Sequence, residues 1–289
     1  MRIIGNNPQL SRQTQGTASG AITGGKPVLV NTDGTVTQIS GSTSAVGAEA
    51  VFESAVTQYI ASTFDSSNNK VVIAYRDSGN SSYGTSIVAT IDSSNNTISY
   101  GSPTVFNSAN SLYISPTFDS SNNKIVIAYQ DGGNSSHGFG IVGTVSGTSI
   151  SFGSSTQFEP AVSNFISATF DSDENRVVIA YQDAGASGRG TARVGTVNNT
   201  EFDGFGTPVA FESASTFFTS TTFDNNSNKV VINYRDAGNS NYGTSIVGTV
   251  SGTSISFGTA VVFENGTYIA DHRASTFDST NNKVIIAYQ

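Results

Sequence analysis

The chain has 289 residues, a net charge of −8 and no cysteine. The absence of cysteine excludes disulfides and zinc–thiolate sites within this sequence, and the acidic balance disfavours nucleic acid and anionic membranes as partners. No apolar run approaches the ~18 residues of a membrane span, and the first residues lack the apolar core of a secretory signal, so we expect cytoplasmic synthesis and no membrane insertion.

Residues 1–48 differ from the rest of the chain, because they carry a net charge of +2 and leave −10 for residues 49–289. Residues 1–18 show no apolar periodicity and predict an extended arm. Residues 26–37 predict a hairpin with Asp-Gly at the turn, and a flexible linker follows at 41–44. An extended segment is ordered only when something holds it. We therefore expect Ile3, Ile4 and Leu10 to dock onto another protein.

Residues 49–289 repeat a unit of about 53 residues, four times in full and once in part. Each copy contains a Phe-Asp anchor, with a Tyr 11 residues after the Phe and another Phe before it. A unit of this length cannot bury its apolar face alone, so neighbouring copies must stack. The anchors begin at Phe64, Phe118, Phe170, Phe223 and Phe277, with spacings of 54, 52, 53 and 54.

Apolar runs separated by Gly, Asn and Ser predict four short strands in each unit. In the second copy these are residues 113–118, 124–129 and 140–145, with a fourth strand from 149–152 and 156–158 bulged at Gly153. The second strand is continuously apolar, which indicates burial on both faces. We expect near-complete burial of Ile73, Ile127, Ile179, Ile232 and Ile285 on one face, and of Val72, Val126, Val178 and Val231 on the other.

These features predict an all-β chain in which an extended arm and hairpin precede a β-propeller-like array of four-stranded antiparallel units. A β-solenoid and an interdigitated trimeric fibre are alternatives. The last copy ends at Gln289, after its second strand. We expect the natural chain to continue, although residues 51–53 could instead complete the last unit.

Most repeated polar residues predict structural roles. The Asp of each anchor predicts an Asx turn; the alternative, a calcium site, matches no known calcium-loop spacing. The residue just after the second-strand tyrosine is Arg76 or Arg235 in copies one and four, and Gln130 or Gln182 in copies two and three. This repeated polar position predicts a hydrogen-bond ladder between units, or else a ring of glycan pockets. We expect no metal and no cofactor, since two His cannot make a structural zinc site and no phosphate-binding loop is present.

A catalytic group acts once per site and should therefore break the repeat. The clearest departure is the segment from Phe263 to Phe277, which spans 14 residues where the other copies have 12. Its aromatic and hydrogen-bonding groups predict a glycan site, although an insertion tolerated in a surface loop is the alternative. No nucleophile motif occurs, so we expect no enzymatic activity. The candidate glycan residues are Tyr268, Asp271, His272 and Arg273; repeated positions of the Tyr75 and Arg76 type come next.

Two stretches carry a resemblance to a known class of proteins. Phe-Asp-Ser-Ser-Asn-Asn-Lys-Val-Val-Ile-Ala-Tyr-Arg-Asp at 64–77 and Gly-Thr-Val-Ser-Gly-Thr-Ser-Ile-Ser-Phe-Gly at 143–153 resemble repeats of structural and tail-fibre proteins of marine tailed phages. Residues 18–36 look like an N-terminal segment common in virion appendage proteins. The resemblance implies a multimeric virion protein attached by its N-terminus, and it transfers no catalytic residue.

On this resemblance we expect a non-enzymatic homo-oligomeric fibre or appendage in the virion, made in the host cytoplasm. Residues 1–48 would bind other virion proteins through Ile3, Ile4 and Leu10, and the array would contact host surface glycan. One alternative is a capsid decoration or tail module that binds only virion proteins. Another is a glycan-degrading propeller.

Overall fold

The computed structural model describes residues 17–18, 20–22, 28–30, 35–38, 49–265 and 274–288, and it divides into two compact units, 1–48 and 49–289. The first unit contains β1 (Thr17–Ala18), β2 (Val28–Val30) and β3 (Thr35–Gln38). β3 pairs antiparallel with β2, as the hairpin requires, and parallel with β1. Ile3, Ile4 and Leu10 lie outside the described residues. No helix long and apolar enough to cross a membrane occurs in the described residues.

The second unit is built from four-stranded antiparallel sheets, one for each of the first four copies, so the all-β prediction and its four-stranded unit are confirmed. Copy one has β4 (Thr57–Asp65), β5 (Lys70–Asp77) and β6 (Tyr83–Asp92), and the fourth position is shared by β7 (Thr97–Tyr100) and the first half of β8 (Thr104–Asp119). Later copies repeat this order with β9 (Lys124–Asp131), β10 (His137–Ser146), β11 (Ser149–Phe152), β12 (Thr156–Asp171), β13 (Arg176–Asp183), β14 (Arg189–Asn198), β15 (Glu201–Phe205), β16 (Val209–Asp224), β17 (Lys229–Asp236), β18 (Tyr242–Ser251), β19 (Ser254–Phe257) and β20 (Val261–Glu264). Copy five contributes β21 (Ala274–Asp278) and β22 (Lys283–Ala287).

The last strand of one sheet continues directly into the first strand of the next. β8, β12 and β16 each have 16 residues. The first half of β8 pairs with β6 and its second half pairs with β9. The sequence predicted two separate strands here. In the structure they are one continuous strand, which changes its partner from β6 to β9 between Asn110 and Ser111.

The sheets pack face to face through their second strands. Val72 of one sheet packs in the same core as Ile125 and Ile127 of the next. The two predicted apolar faces are confirmed inside the array, where these residues are 0% exposed: Ile127, Ile179, Ile232, Val72, Val126 and Val178.

The prediction of burial is wrong at the two ends of the array. Ile73 and Val231 are half-buried, and Ile285 is 51% exposed. Ile285 pairs with Thr276 as Val72 pairs with Thr63, so its register is that of the Val series. Copy five has two strands within the described residues, and no following sheet covers this face.

Aromatic pairs join each sheet to the next. Phe158, on the outer strand of copy two, contacts Tyr181 of copy three with ring centroids 5.2 Å apart. Gly138 lies beneath this Phe, and a Cβ at that glycine would come within 2.4 Å of the ring. The close approach therefore requires glycine at the start of the third strand.

Candidate functional site

The first strands of all five copies line one cavity of about 650 Å³. Copy one contributes Tyr59 and Ile60, copy four contributes Phe218, and copy five contributes Ala274 and Ala287. A second cavity, of about 420 Å³, lies at the other end of the same strands and is lined by the anchor Phe of each copy with Ser and Thr. The first strands of the five copies therefore converge on the same two cavities.

The larger cavity is lined by a row of four aromatic side chains, which we call the aromatic mouth: Tyr59, Tyr113, Phe165 and Phe218. Neighbouring rings contact one another at angles of 63°, 52° and 54°, with centroids 5.3, 5.1 and 4.9 Å apart. Such tilted and edge-on pairs are the favoured aromatic geometry. Tyr59 remains 37% exposed and the other three are half-buried, so these apolar rings are open to solvent at the cavity.

Each aromatic residue of the mouth has an uncommon backbone conformation. Tyr59, Tyr113, Phe165 and Phe218 have φ angles of 51°, 49°, 49° and 51°. Bulky side chains rarely adopt this left-handed region, and strain of this kind is concentrated at functional sites. The aromatic residue falls in the register shift of each first strand, where the regular alternation of side chains is interrupted. At this position each aromatic side chain contacts the corresponding one of the neighbouring copy.

Two guanidinium groups lie against the mouth. The Arg76 Cζ is 5.1 Å from the centroid of the Tyr59 ring, and its Nη1 donates to Asn110 Oδ1 at 3.2 Å. The Arg235 Cζ is 4.4 Å from the centroid of Phe217 and 5.1 Å from that of Phe218. Each arginine thus provides a cation–π contact with an aromatic first-strand residue.

The predicted hydrogen-bond ladder is present in the copies that carry Gln. Gln130 Nε2 donates to the Ser163 carbonyl at 2.8 Å, and Gln182 Nε2 donates to the Thr216 carbonyl at 2.6 Å. Asn164 Nδ2 donates to Gln182 Oε1 at 2.9 Å. Each bond reaches from a second strand to the first strand of the next copy or its own, so the ladder connects neighbouring sheets.

The tyrosine of the second strand is buried in copies one to four, whereas the corresponding Tyr288 of copy five is 45% exposed and lines the larger cavity. Tyr75, Tyr129, Tyr181 and Tyr234 are at most 1% exposed, and burial raises the pKa of each hydroxyl above its usual value. This corrects the second predicted glycan surface for the tyrosines of copies one to four, which cannot face a ligand, whereas Arg76 lies against the Tyr59 ring of the mouth.

The repeated anchor aspartates form the predicted Asx turns. Asp119 Oδ1 accepts from the backbone N–H groups of Ser121 and Asn122, both at 3.0 Å, and Oδ2 accepts from Asn122 Nδ2 at 2.8 Å. Both oxygens are therefore engaged in the turn. Within the described part of the chain, no group of three His, Cys, Asp or Glu could hold a metal ion.

The predicted glycan residues Tyr268, Asp271, His272 and Arg273 lie outside the described residues. Their sequence register is informative: His272 precedes Phe277 by five residues, as Tyr59 precedes Phe64. The same spacing separates Tyr113, Phe165 and Phe218 from their anchors. An aromatic residue five positions before each Phe-Asp was thus a visible signal that the sequence reasoning missed.

No family model and no curated protein matches the chain. Among solved structures, a protein of unknown function from Dyadobacter fermentans DSM 18053 superposes with a TM-score of 0.56 at 13% identity, covering 80% of this chain and 74% of that chain. A variant of AofleA from Arthrobotrys oligospora with three arginines replaced by alanine gives 0.54 at 10% identity, covering 80% and 64%. AofleA itself gives 0.50 at 10% identity, with the same coverage. The chain thus spans less than two thirds of AofleA, and the similarity to these structures is one of fold alone.

Proposed function

We propose that this chain is a non-enzymatic glycan-binding protein whose ligand enters the aromatic mouth. The observation that carries this proposal is the row of Tyr59, Tyr113, Phe165 and Phe218, held in left-handed backbone conformations and lining a cavity of about 650 Å³. Sugar rings present C–H faces that pack on aromatic rings, and tyrosine adds a hydroxyl that can bond to sugar hydroxyls. The strain argues for selection of the site, since four repeats keep an aromatic residue where Gly or Asn would fit more easily.

The array is proposed to be a β-propeller in which each four-stranded sheet is a blade. The shared central cavity supports this architecture over a solenoid, where the first and fifth units would lie far apart. Hydroxyl contacts between neighbouring first strands also support it. Ala168 N donates to Ser115 Oγ at 2.9 Å, and the hydroxyls of Ser167 and Thr221 lie 2.9 Å apart.

The experiment compares two aromatic substitutions on the same strand. Tyr59→Asn removes a ring of the mouth while keeping a residue that tolerates the left-handed conformation. Phe64→Asn removes a ring of similar exposure, 52% against 37%, at the other cavity. On a glycan array followed by titration with each hit, Tyr59→Asn should lose ~1 kcal/mol of binding, roughly fivefold in Kd, and Phe64→Asn should bind like wild type. Equal losses, or no binding by wild type, would contradict the proposal.

The biological setting is proposed from the sequence resemblance: a homo-oligomeric phage appendage in the virion, with residues 1–48 attached to the particle and the array contacting host glycan. The separate compact unit at 1–48, with its opposite net charge, supports a division of roles. Deleting residues 1–18 should leave thermal unfolding of the array unchanged and abolish incorporation into particles. Normal incorporation would refute this role for Ile3, Ile4 and Leu10.

The glycan experiments also test the two alternatives. A module that binds only virion proteins would give no signal on the glycan array and would still be incorporated into particles. A glycan-degrading propeller would release reducing ends from host polysaccharide, and we expect none.

A further inference from the structure

We infer that this chain associates head to tail with further copies of itself, the open face of its fifth sheet packing on the open face of its first. The interface repeats between molecules the contact that joins neighbouring sheets within one molecule, and it does not depend on glycan binding. The inference starts from the first and fifth sheets, each of which exposes large apolar side chains on one face.

Neighbouring sheets of the array always bury the same two faces against each other. The forward face of a sheet carries the Val of its second strand, and the rear face carries the Ile that follows this Val. The forward face of one sheet packs on the rear face of the next. This contact is made three times in the chain, by Val72 with Ile127, by Val126 with Ile179 and by Val178 with Ile232.

The rear face of the first sheet lacks this cover. Ile60 is 53% exposed and Ile91 is 56% exposed. Ile114 and Val145 hold the same registers in copy two and are 6% and 7% exposed. Ile73 is half-buried, although its equivalents in copies two to four are fully buried. The first sheet therefore presents to solvent a face that the other copies use as an interior, and such exposed apolar faces mark interaction sites.

One part of this rear face is already covered in the manner of an internal interface. Phe52 contacts Tyr75 with ring centroids 5.2 Å apart at 67°, and Phe106 contacts Tyr129 of the next sheet at 5.2 Å and 66°. Phe52 thus takes the place that the outer strand of a preceding sheet takes elsewhere. The part of the face that stays open is the part covered elsewhere by a preceding second strand.

The fifth sheet exposes a second strand of the required kind. Ile285 is 51% exposed and Ala287 is also exposed. They hold the registers of Val72 and Ala74, which are 0% exposed in the core shared with copy two. The open forward face of the fifth sheet and the open rear face of the first are therefore complementary in register and in apolar character.

A second copy of the chain is the occupant that fits both faces. Within one molecule the two faces remain exposed, so they do not cover each other. When the forward face of one molecule packs on the rear face of another, the pair again presents one free face of each kind. A heterologous contact of this type continues into a ring or a filament, in agreement with the homo-oligomeric appendage proposed above.

The test measures the mass of the full chain by sedimentation at several concentrations. The wild-type mass should rise between about 1 and 100 μM without stopping at a dimer. Ile91→Glu blocks the rear face and Ile285→Glu blocks the forward face. Each should weaken association at least about tenfold, because an unpaired carboxylate is costly to bury. The matched control is Val105→Glu at a 40% exposed residue, whose register is exposed in all four complete sheets; it should associate like wild type.

Mixing the two blocked variants tests the direction of the contact. The Ile91→Glu chain keeps its forward face and the Ile285→Glu chain keeps its rear face, so an equal mixture should form a dimer and stop there. Circular dichroism checks that each variant is folded, and Ile91→Thr with Ile285→Thr, which keep a β-branched residue, replace any variant that is not.

Three results would overturn the inference. The first is a wild-type chain that stays monomeric over this range, as closure of the two faces within one molecule would give. The second is association of the blocked variants at the wild-type concentration, or a control weakened as much as they are. The third is a mixture of folded blocked variants that remains monomeric.

Discussion

Replacing Ile127 by alanine tests how the sheets of the array are held together. Ile127 is 0% exposed and packs in one core with Val72 of the preceding sheet and Ile141 of its own. The change removes three carbon atoms at ~0.8 kcal/mol each, or ~2.4 kcal/mol. The cavity left behind raises the expected loss to about 3–4 kcal/mol, within the ~2–5 kcal/mol range for such sites.

The control is Ile285→Ala, the same chemical change on the second strand of copy five, where the side chain is 51% exposed. It should cost about 1 kcal/mol or less, because exposed apolar groups lose little burial. The half-buried Ile73 should give an intermediate loss. The chain has no tryptophan, so urea unfolding should be followed by far-ultraviolet circular dichroism, with tyrosine fluorescence as a second probe of two-state behaviour. A loss for Ile127→Ala no larger than that for Ile285→Ala would refute face-to-face packing.

Three further outcomes follow from hydrogen bonds and charge. Asp119→Ala removes the acceptor of three turn hydrogen bonds and should cost ~1–3 kcal/mol in urea unfolding, whereas the exposed neighbour Ser120→Ala should cost almost nothing. Burial raises the pKa of Asp171 in the folded state. The contribution of Asp171 to stability is therefore greatest below its unfolded pKa and falls as pH rises through its folded pKa. In thermal unfolding, Asp171→Asn should gain stability relative to wild type between pH 3 and pH 7, and a stability difference that does not change with pH would contradict this. Gln182→Ala leaves the buried carbonyl of Thr216 without its 2.6 Å donor and should cost ~1–3 kcal/mol by urea unfolding; no loss would show that the ladder does not stabilise the array.

The aromatic mouth was not predicted from the sequence. Tyr59, Tyr113, Phe165 and Phe218 stand five residues before the anchors of the first four copies, so their repetition was visible in the sequence. From the sequence pattern alone, however, an aromatic residue in a strand is expected to pack between sheets. In the structure Tyr113 lies in the register shift between Leu112 and Ser115 with a positive φ, and its ring also contacts Tyr59 and Phe165 of the neighbouring copies. These contacts join residues of different copies, so they form only when the copies have stacked.

Local patterns alone determined the repeat, the four strands of each unit, the Asx turns and the two buried faces of the second strand. They did so because turn residues hydrogen-bond to their own backbone, and because a continuous β-branched run is typical of a strand that is buried on both faces. Tertiary structure alone decided that the first strands of five copies share one cavity, that Tyr75 is buried while Arg76 reaches the mouth, and that Ile285 is exposed. The physical reason is that burial and convergence depend on which sheet lies next to a given face, and residues about 53 positions apart in the chain meet only after the copies have stacked.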